Sequence, residues 1–192
     1  MSAPLNMGSE RRMVVTTRAC EGRLVPAGDP VSVPKDAFVT LTQSEGGNFT
    51  IIHQGNMVRI DGIDADVIGL PPLEIVFEEP GDSQIHETQV WEALQTVFDP
   101  EIPVSLPDLG LVYGVDIDQH DQRVDIQMTL TAPGCGFGQV LIGDVEARVG
   151  LVPNVSEVQV ELVFDPPWSR DMMTDEARLA TCLLYTSDAA DE

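Results

Sequence analysis

Residues 129–138 read Thr-Leu-Thr-Ala-Pro-Gly-Cys-Gly-Phe-Gly, and Cys135 has the widest chemical range of any side chain in this run. A thiolate is both a nucleophile and a ligand for soft metals, and helix-start amides, which carry partial positive charge, favour its formation. The sequence around Cys135 puts it at such a place. Val124, Ile126, Met128 and Leu130 alternate as a strand, Pro133 interrupts it, and Val140, Leu141, Val145 and Val149 recur at helical spacing. The thiol therefore stands between strand and helix, with Gly134, Gly136 and Gly138 leaving room for a ligand or partner to approach. A tight turn around a small buried cysteine fits the same pattern, because a free cysteine often serves only as a small hydrophobe.

Other reactive groups each carry two readings. Asp99-Pro-Glu101 follows a predicted helix, where a carboxylate opposes the negative end of the helix dipole at a cost of about 0.3–1 kcal/mol. Either Asp99 accepts amide hydrogen bonds in its own turn, or Asp99 or Glu101 serves beside Cys135 as ligand, proton acceptor or partner contact. Thr129 and Thr131 fall on the face opposite the apolar residues of their strand. A hydroxyl of either can bond a thiolate, and an ordinary exposed sheet face explains them equally well. Trp168, after Pro166-Pro167, either covers the edge of a core or anchors a partner contact.

Several chemistries are excluded by spacing. Asp61, Asp64 and Asp66 resemble a calcium loop, but Ile68 and Ile75 occupy positions where such a loop needs oxygen ligands. His53, His86 and His120 share no ligand spacing, and no P-loop or dinucleotide fingerprint is present. A catalytic cysteine needs a base within hydrogen-bond reach. His86 begins the first predicted helix, and His120 lies in a hairpin turn at the far end of the strand from Cys135. A cysteine-nucleophile enzyme is therefore disfavoured, and the expected role is non-enzymatic.

The elements that must hold these groups fall into two parts, dividing near 78–83 at Glu-Glu-Pro-Gly-Asp-Ser. Residues 1–80 read as a small all-β domain, with strands at Met13–Thr17, Pro30–Val33, Phe38–Thr42, Phe49–Ile52 and Met57–Ile60. Residues 81–181 read as α+β. Ser83 caps a helix ending near Phe98; a hairpin of Leu111–Ile117 and Val124–Leu130 follows; then come a helix, a strand at Val158–Phe164 and a short helix after Thr174. The predicted fold is a helix-hairpin-helix-strand sandwich behind the β domain. Residues 182–192 continue no earlier pattern and read as a non-native tail.

Composition narrows the partners. Ten basic against 32 acidic residues give a formal net charge of −22 over 192 residues, which argues against nucleic acid and anionic membrane surfaces. The three cysteines, Cys20, Cys135 and Cys182, are widely spaced with no CxxC pair, as expected in a reducing compartment. With no secretory signal and no apolar run of membrane-spanning length, a cytoplasmic location is expected.

Asp99-Pro-Glu-Ile-Pro, Asp108-Leu-Gly-Leu-Val-Tyr, Met128-Thr-Leu-Thr-Ala-Pro-Gly-Cys and Phe164-Asp-Pro-Pro-Trp, in this order, resemble the metal–sulfur cluster assembly factor domain. That domain is shared by SufT maturation proteins and PaaD of phenylacetate degradation, and the resemblance covers about residues 84–180. Gly46-Gly-Asn-Phe-Thr and Arg59-Ile-Asp-Gly-Ile-Asp-Ala-Asp-Val-Ile-Gly are similar to the N-terminal region of the long SufT form. The resemblance implies an accessory role in maturing iron–sulfur proteins, with Cys135 as the cluster- or metal-binding position and Asp99, Glu101 and Thr131 as its neighbours. It further implies the iron–sulfur assembly machinery and client apoproteins as partners, with a transient cluster or iron as cargo. A homodimer sharing a cluster through two Cys135 thiolates is compatible with this role, and so is an adaptor whose Cys135 is structural.

Overall fold

The structure is a computed structural model. It describes residues 11–43, 47–99, 102 and 104–187, apart from the side chains of 43 and 183–187. It divides into two compact units, Met1–Ile75 and Val76–Glu192.

The first unit is a six-stranded sheet built from β1 (Arg12–Val15), β2 (Cys20–Leu24), β3 (Pro30–Val33), β4 (Phe38–Gln43), β5 (Phe49–His53) and β6 (Asn56–Ile60). Its spatial order is β1-β4-β5-β6-β2-β3, with every pairing antiparallel. Alternate residues point inward, so Val33, Val39, Leu41, Ile51, Val58 and Ile60 form one core with Cys20, Val67 and Ile68. Five strands lie close to the positions predicted by β-branched residues and turn signals, while nothing in that pattern predicts β2. Its residues, Cys-Glu-Gly-Arg-Leu, carry no β-branched side chain, and Gly22 sits mid-strand. Packing demands that glycine, since a Cβ there would stand 2.5 Å from Val58 Cγ1.

After β6 the chain makes two short 3-10 turns, Gly62–Ile68, kinked at Asp64. Asp61 caps them by accepting the Ile63 amide (3.1 Å), and buried Asn48 accepts the Gly62 amide (2.9 Å). A side chain at Gly62 would run into the Gly47 carbonyl oxygen. Arg18 donates to both Asp64 and Asp66, which fastens the β1–β2 connection to these turns. The Asp61, Asp64 and Asp66 cluster is thus occupied by a cap and an arginine clamp.

The second unit is α+β, as the sequence predicts. It comprises α1 (Glu87–Gln95), β7 (Val112–Asp118), β8 (Arg123–Met128), α2 (Gly138–Val149), β9 (Glu157–Leu162) and α3 (Asp175–Ser187). The sheet runs β7-β8-β9, antiparallel then parallel, with α2 as the crossover from β8 to β9. Val90 and Leu94 of α1 and Leu141, Val145 and Val149 of α2 pack with Val124, Ile126 and Met128 of β8 in one core. That burial supplies most of the stability of such short helices.

Three boundaries differ from prediction. Helix α1 is capped at His86, not Ser83, because Asp82 turns the preceding chain by accepting the Gln84 amide (3.1 Å). It closes at Gln95, with Thr96 as its C-cap, short of the predicted end near Phe98. Helix α3 runs on to Ser187, into the segment read as a tail.

Candidate functional site

Strand β8 ends at Met128, and its continuation is held by the Thr129 amide donating to Leu111 O (2.8 Å). The following residues form two tight turns: Cys135 N donates to Ala132 O, and Gly138 N donates to Cys135 O, both at 3.2 Å. Gly134, with φ +87°, has open space where a side chain would stand, so its role is to permit the turn. Gly138 differs. A Cβ there would meet Leu130 Cδ1 at 2.9 Å, so this glycine lets α2 pack onto Leu130 and leaves no space for a ligand. Cys135 itself is a free thiol, half-buried against the core, beside the exposed residues Ala132, Pro133, Gly134 and Gly136.

Asp99 is buried, with Oδ1 accepting the Ile102 amide (3.0 Å) and its own amide donating to Val104 O (3.2 Å). This is the local turn that the sequence offers as one of two readings. A bridge between Phe98 and Ser105 closes the loop at its base. Three backbone hydrogen bonds then link that base to the Cys135 strand: Leu106 N to Val97 O, Leu111 N to Leu106 O and Thr129 N to Leu111 O. Arg148, wholly buried on α2, donates from Nη1 to Thr96 O and Oγ1 at 2.9 Å, so the helix that follows Cys135 also holds the helix that precedes Asp99. Glu101 lies outside the described residues.

The two threonines are treated differently by the fold. Thr131 is half-buried. Thr129 is fully buried, and its Oγ1 is shielded without a hydrogen-bond partner among the described residues. Strand alternation assigns Thr129 to an exposed face, but the chain leaves β8 just before it. A buried hydroxyl without a partner costs about 1–3 kcal/mol. Its place six residues before Cys135 is the only sequence signal.

Trp168 is half-buried against the core, and its indole donates to Leu109 O (2.8 Å). Tyr113 Oη donates to Pro166 O (2.7 Å) nearby, so the Pro-rich exit is strapped over the start of the hairpin. His86 and His120 stand at the hairpin-turn end of the sheet. Gln119, next to His120, exchanges hydrogen bonds with the Ile85 backbone, and the length of β8 separates this turn from the Cys135 loop. Each imidazole pairs with a carboxylate, His86 with Asp82 (3.0 Å) and His120 with Asp121 (2.8 Å). The His86 hydrogen bond, with help from the Gln84 amide, holds the Asp82 carboxyl below its ordinary range. Among the described residues, no three His, Cys, Asp or Glu converge as a metal-ligand group.

The family model described as "Iron-sulfur cluster assembly protein" matches residues 87–162, from the start of α1 to the end of β9. An "Fe-S protein maturation auxiliary factor" of Porphyromonas gingivalis is 46% identical over 93 residues, covering 88% of that protein and 48% of this chain. The chain belongs to the iron–sulfur cluster assembly protein family. Two further relatives place it among the groups that its motifs resemble. The "Fe-S protein maturation auxiliary factor SufT" of Staphylococcus aureus is 39% identical over 94% of its length and 44% of this chain. A component of the "Putative 1,2-phenylacetyl-CoA epoxidase" of Escherichia coli is 40% identical over 55% of its length and 50% of this chain. The family match lies wholly within the second unit.

Proposed function

We propose that this protein is a non-catalytic auxiliary factor in iron–sulfur cluster assembly, acting on client apoproteins by contact and by transient binding of a cluster or iron at Cys135. The observation that carries this reading is the free, half-buried thiol in a loop fixed between β8 and α2, in a family whose relatives bear the name of maturation factors. Asp99, Glu101 and Thr131 are proposed as its neighbours, and the buried Thr129 hydroxyl joins them. The backbone links from Val97 to Thr129 support placing the Asp99 loop and the Cys135 loop in one site.

A conventional cluster takes about four thiolates, and Cys135 supplies one. Cargo held here would draw its remaining ligands from the donor, the client or a second copy of the chain. A shell divided between molecules is readily dismantled, which suits transfer better than storage. Cys135 contributes a soft ligand, and the buried polar groups of the loop orient it.

The test is anaerobic reconstitution of the purified chain with iron and sulfide, comparing wild type with Cys135→Ser. The reading expects iron and sulfide bound by wild type, with matching visible absorbance, and neither retained by the serine variant. Equal uptake by both would remove Cys135 from the site. Absence of uptake by wild type, alone and with an apoprotein client, would leave the adaptor reading in its place.

A further inference from the structure

Strand β1 is last in the sheet order β1-β4-β5-β6-β2-β3, and among the described residues no strand lies beyond it. Thr16 spends both backbone groups on the β4 side: its amide donates to Ala37 O (3.0 Å) and its carbonyl accepts from Asp36 N (2.9 Å). Backbone direction alternates along a strand, so Val14 also faces β4, while Met13 and Val15 turn their N–H and C=O groups outward. Thr17, next in that outward series, is met by Val67 O (2.9 Å). The open edge is therefore Met13–Val15.

The side chains along this edge are apolar as well. Met13 is 71% exposed and Val15 45%, and Phe38, the β4 residue paired with Val15, is 73% exposed. All three stand on the outer face, because Val14 and its partner Val39 take the core side. The opposite edge of the sheet is blunted: β3 begins at Pro30, which has no N–H, and exposes Pro30 and Ser32. An apolar strip beside an unpaired edge is a surface for association with another strand. Charge favours the same place. Residues 1–75 hold nine of the 32 acidic residues and six of the ten basic ones, so most of the net charge of −22 lies elsewhere in the chain.

We propose that β1 pairs antiparallel with β1 of a second copy of this chain, about a two-fold axis at Val14. The outward groups select this register. Met13 of each copy faces Val15 of the other, and the two pairs exchange the backbone hydrogen bonds that neither makes within its own sheet. Phe38, Val15 and the other copy's Met13 then lie side by side on the outer face, so the exposed apolar side chains cover one another. Arg12 falls opposite Thr16, and no like charges are set face to face. A shift of one residue would oppose outward groups to inward ones, and a shift of two would bring in Arg11 or the already bonded Thr17. The strip is short of a standard interface of about 1,200–2,000 Å², so the association is weak and concentration-dependent. It is independent of Cys135 and is read without any maturation assay.

The test is sedimentation equilibrium of the full chain at about 0.15 M salt, where charges more than about 8 Å apart are largely screened. The proposal expects a monomer–dimer equilibrium with Kd on the order of 10–100 µM. Val15→Pro removes one outward N–H, which an edge strand tolerates; it should weaken dimerisation at least about tenfold with a urea midpoint near wild type. Val15→Lys keeps that N–H and breaks the apolar strip, and it decides the matter should the proline variant fail to fold. Val14→Cys reads the register. The two new thiols would be directly opposed, with Cα atoms about 4.5 Å apart, within disulfide range, and oxidised glutathione should link the chains. Wild type, with its native thiols, and Arg12→Cys, remote from its counterpart, should stay unlinked. A monomer at every concentration up to about 300 µM overturns the proposal and leaves the edge to a strand from another protein. So does undiminished dimerisation of folded Val15→Pro or Val15→Lys, or linking of either control as readily as Val14→Cys.

Discussion

The two units spend their sequence motifs in opposite ways. In the first, Asn48 accepts the Gly62 amide, Asp61 caps the 3-10 turns, and Asp64 and Asp66 hold Arg18. Each polar group of the Arg59–Gly69 motif named here satisfies another part of the same unit. In the second, the Thr129–Gly138 motif leaves a half-buried free thiol and a shielded hydroxyl without a hydrogen-bond partner among the described residues. A motif whose members satisfy one another is explained by folding. A motif that leaves reactive or unpaired groups behind, at a cost in stability, points to function.

The largest expected effects break both motifs through packing. Leu130→Ala removes a core side chain beneath the Cys135 loop and should cost about 2–5 kcal/mol, measured by denaturant unfolding. Client maturation should fall only in proportion to the loss of folded protein. Gly62→Ala pushes a methyl into the Gly47 carbonyl and should destabilise the first unit by about 1–3 kcal/mol. An unchanged midpoint would show that the Gly47–Gly62 approach is not what the motif protects.

Thr129→Val sharpens the comparison, because it replaces an unpartnered buried hydroxyl with a methyl of similar size. It should raise stability by about 1 kcal/mol while lowering client maturation. Stability gained with full maturation would return Thr129 to the ordinary core. The smallest effect contrasts Cys20 with Cys135. Burial, with help from Asp64, pushes the Cys20 thiol up to about 11. Cys20 should therefore alkylate more slowly than Cys135 near pH 8. The sign for stability follows from the same shift. The contribution of a neutral buried Cys20 is complete below the ordinary thiol range near ~8.5. It is lost as pH rises from there through about 11. Urea midpoints of the first unit should fall over that window in wild type and stay level in Cys20→Ala.

Much of the fold is legible because period-2 and period-3.6 patterns are written by burial. Strands β3, β5 and β8 and helix α2 lie close to where alternation or helical spacing puts them. Where neighbours decide, the pattern is silent. Strand β2 escapes it because packing against Val58 forces Gly22 into the strand. The start of α1 falls later than the pattern puts it because Asp82, not Ser83, makes the turning hydrogen bond. At the site, Cys135 and Asp99 are legible as residue types in telling positions. The distinction between Thr129 and Thr131 is not, since it depends on where the chain leaves β8. Gly138 reads in sequence as open space and is instead the seat of Leu130.

Cys135→Ser tests the central claim most directly, because it exchanges one atom at a half-buried position and creates no large cavity. Its cost to stability should stay under about 1.5 kcal/mol. Client iron–sulfur enzyme activity should nevertheless drop in cells that hold soluble variant and wild type at matched levels, because oxygen is a poor substitute for thiolate towards soft metal centres. Full client activity in the serine variant, at a melting temperature close to wild type, would contradict a maturation role centred on this thiol.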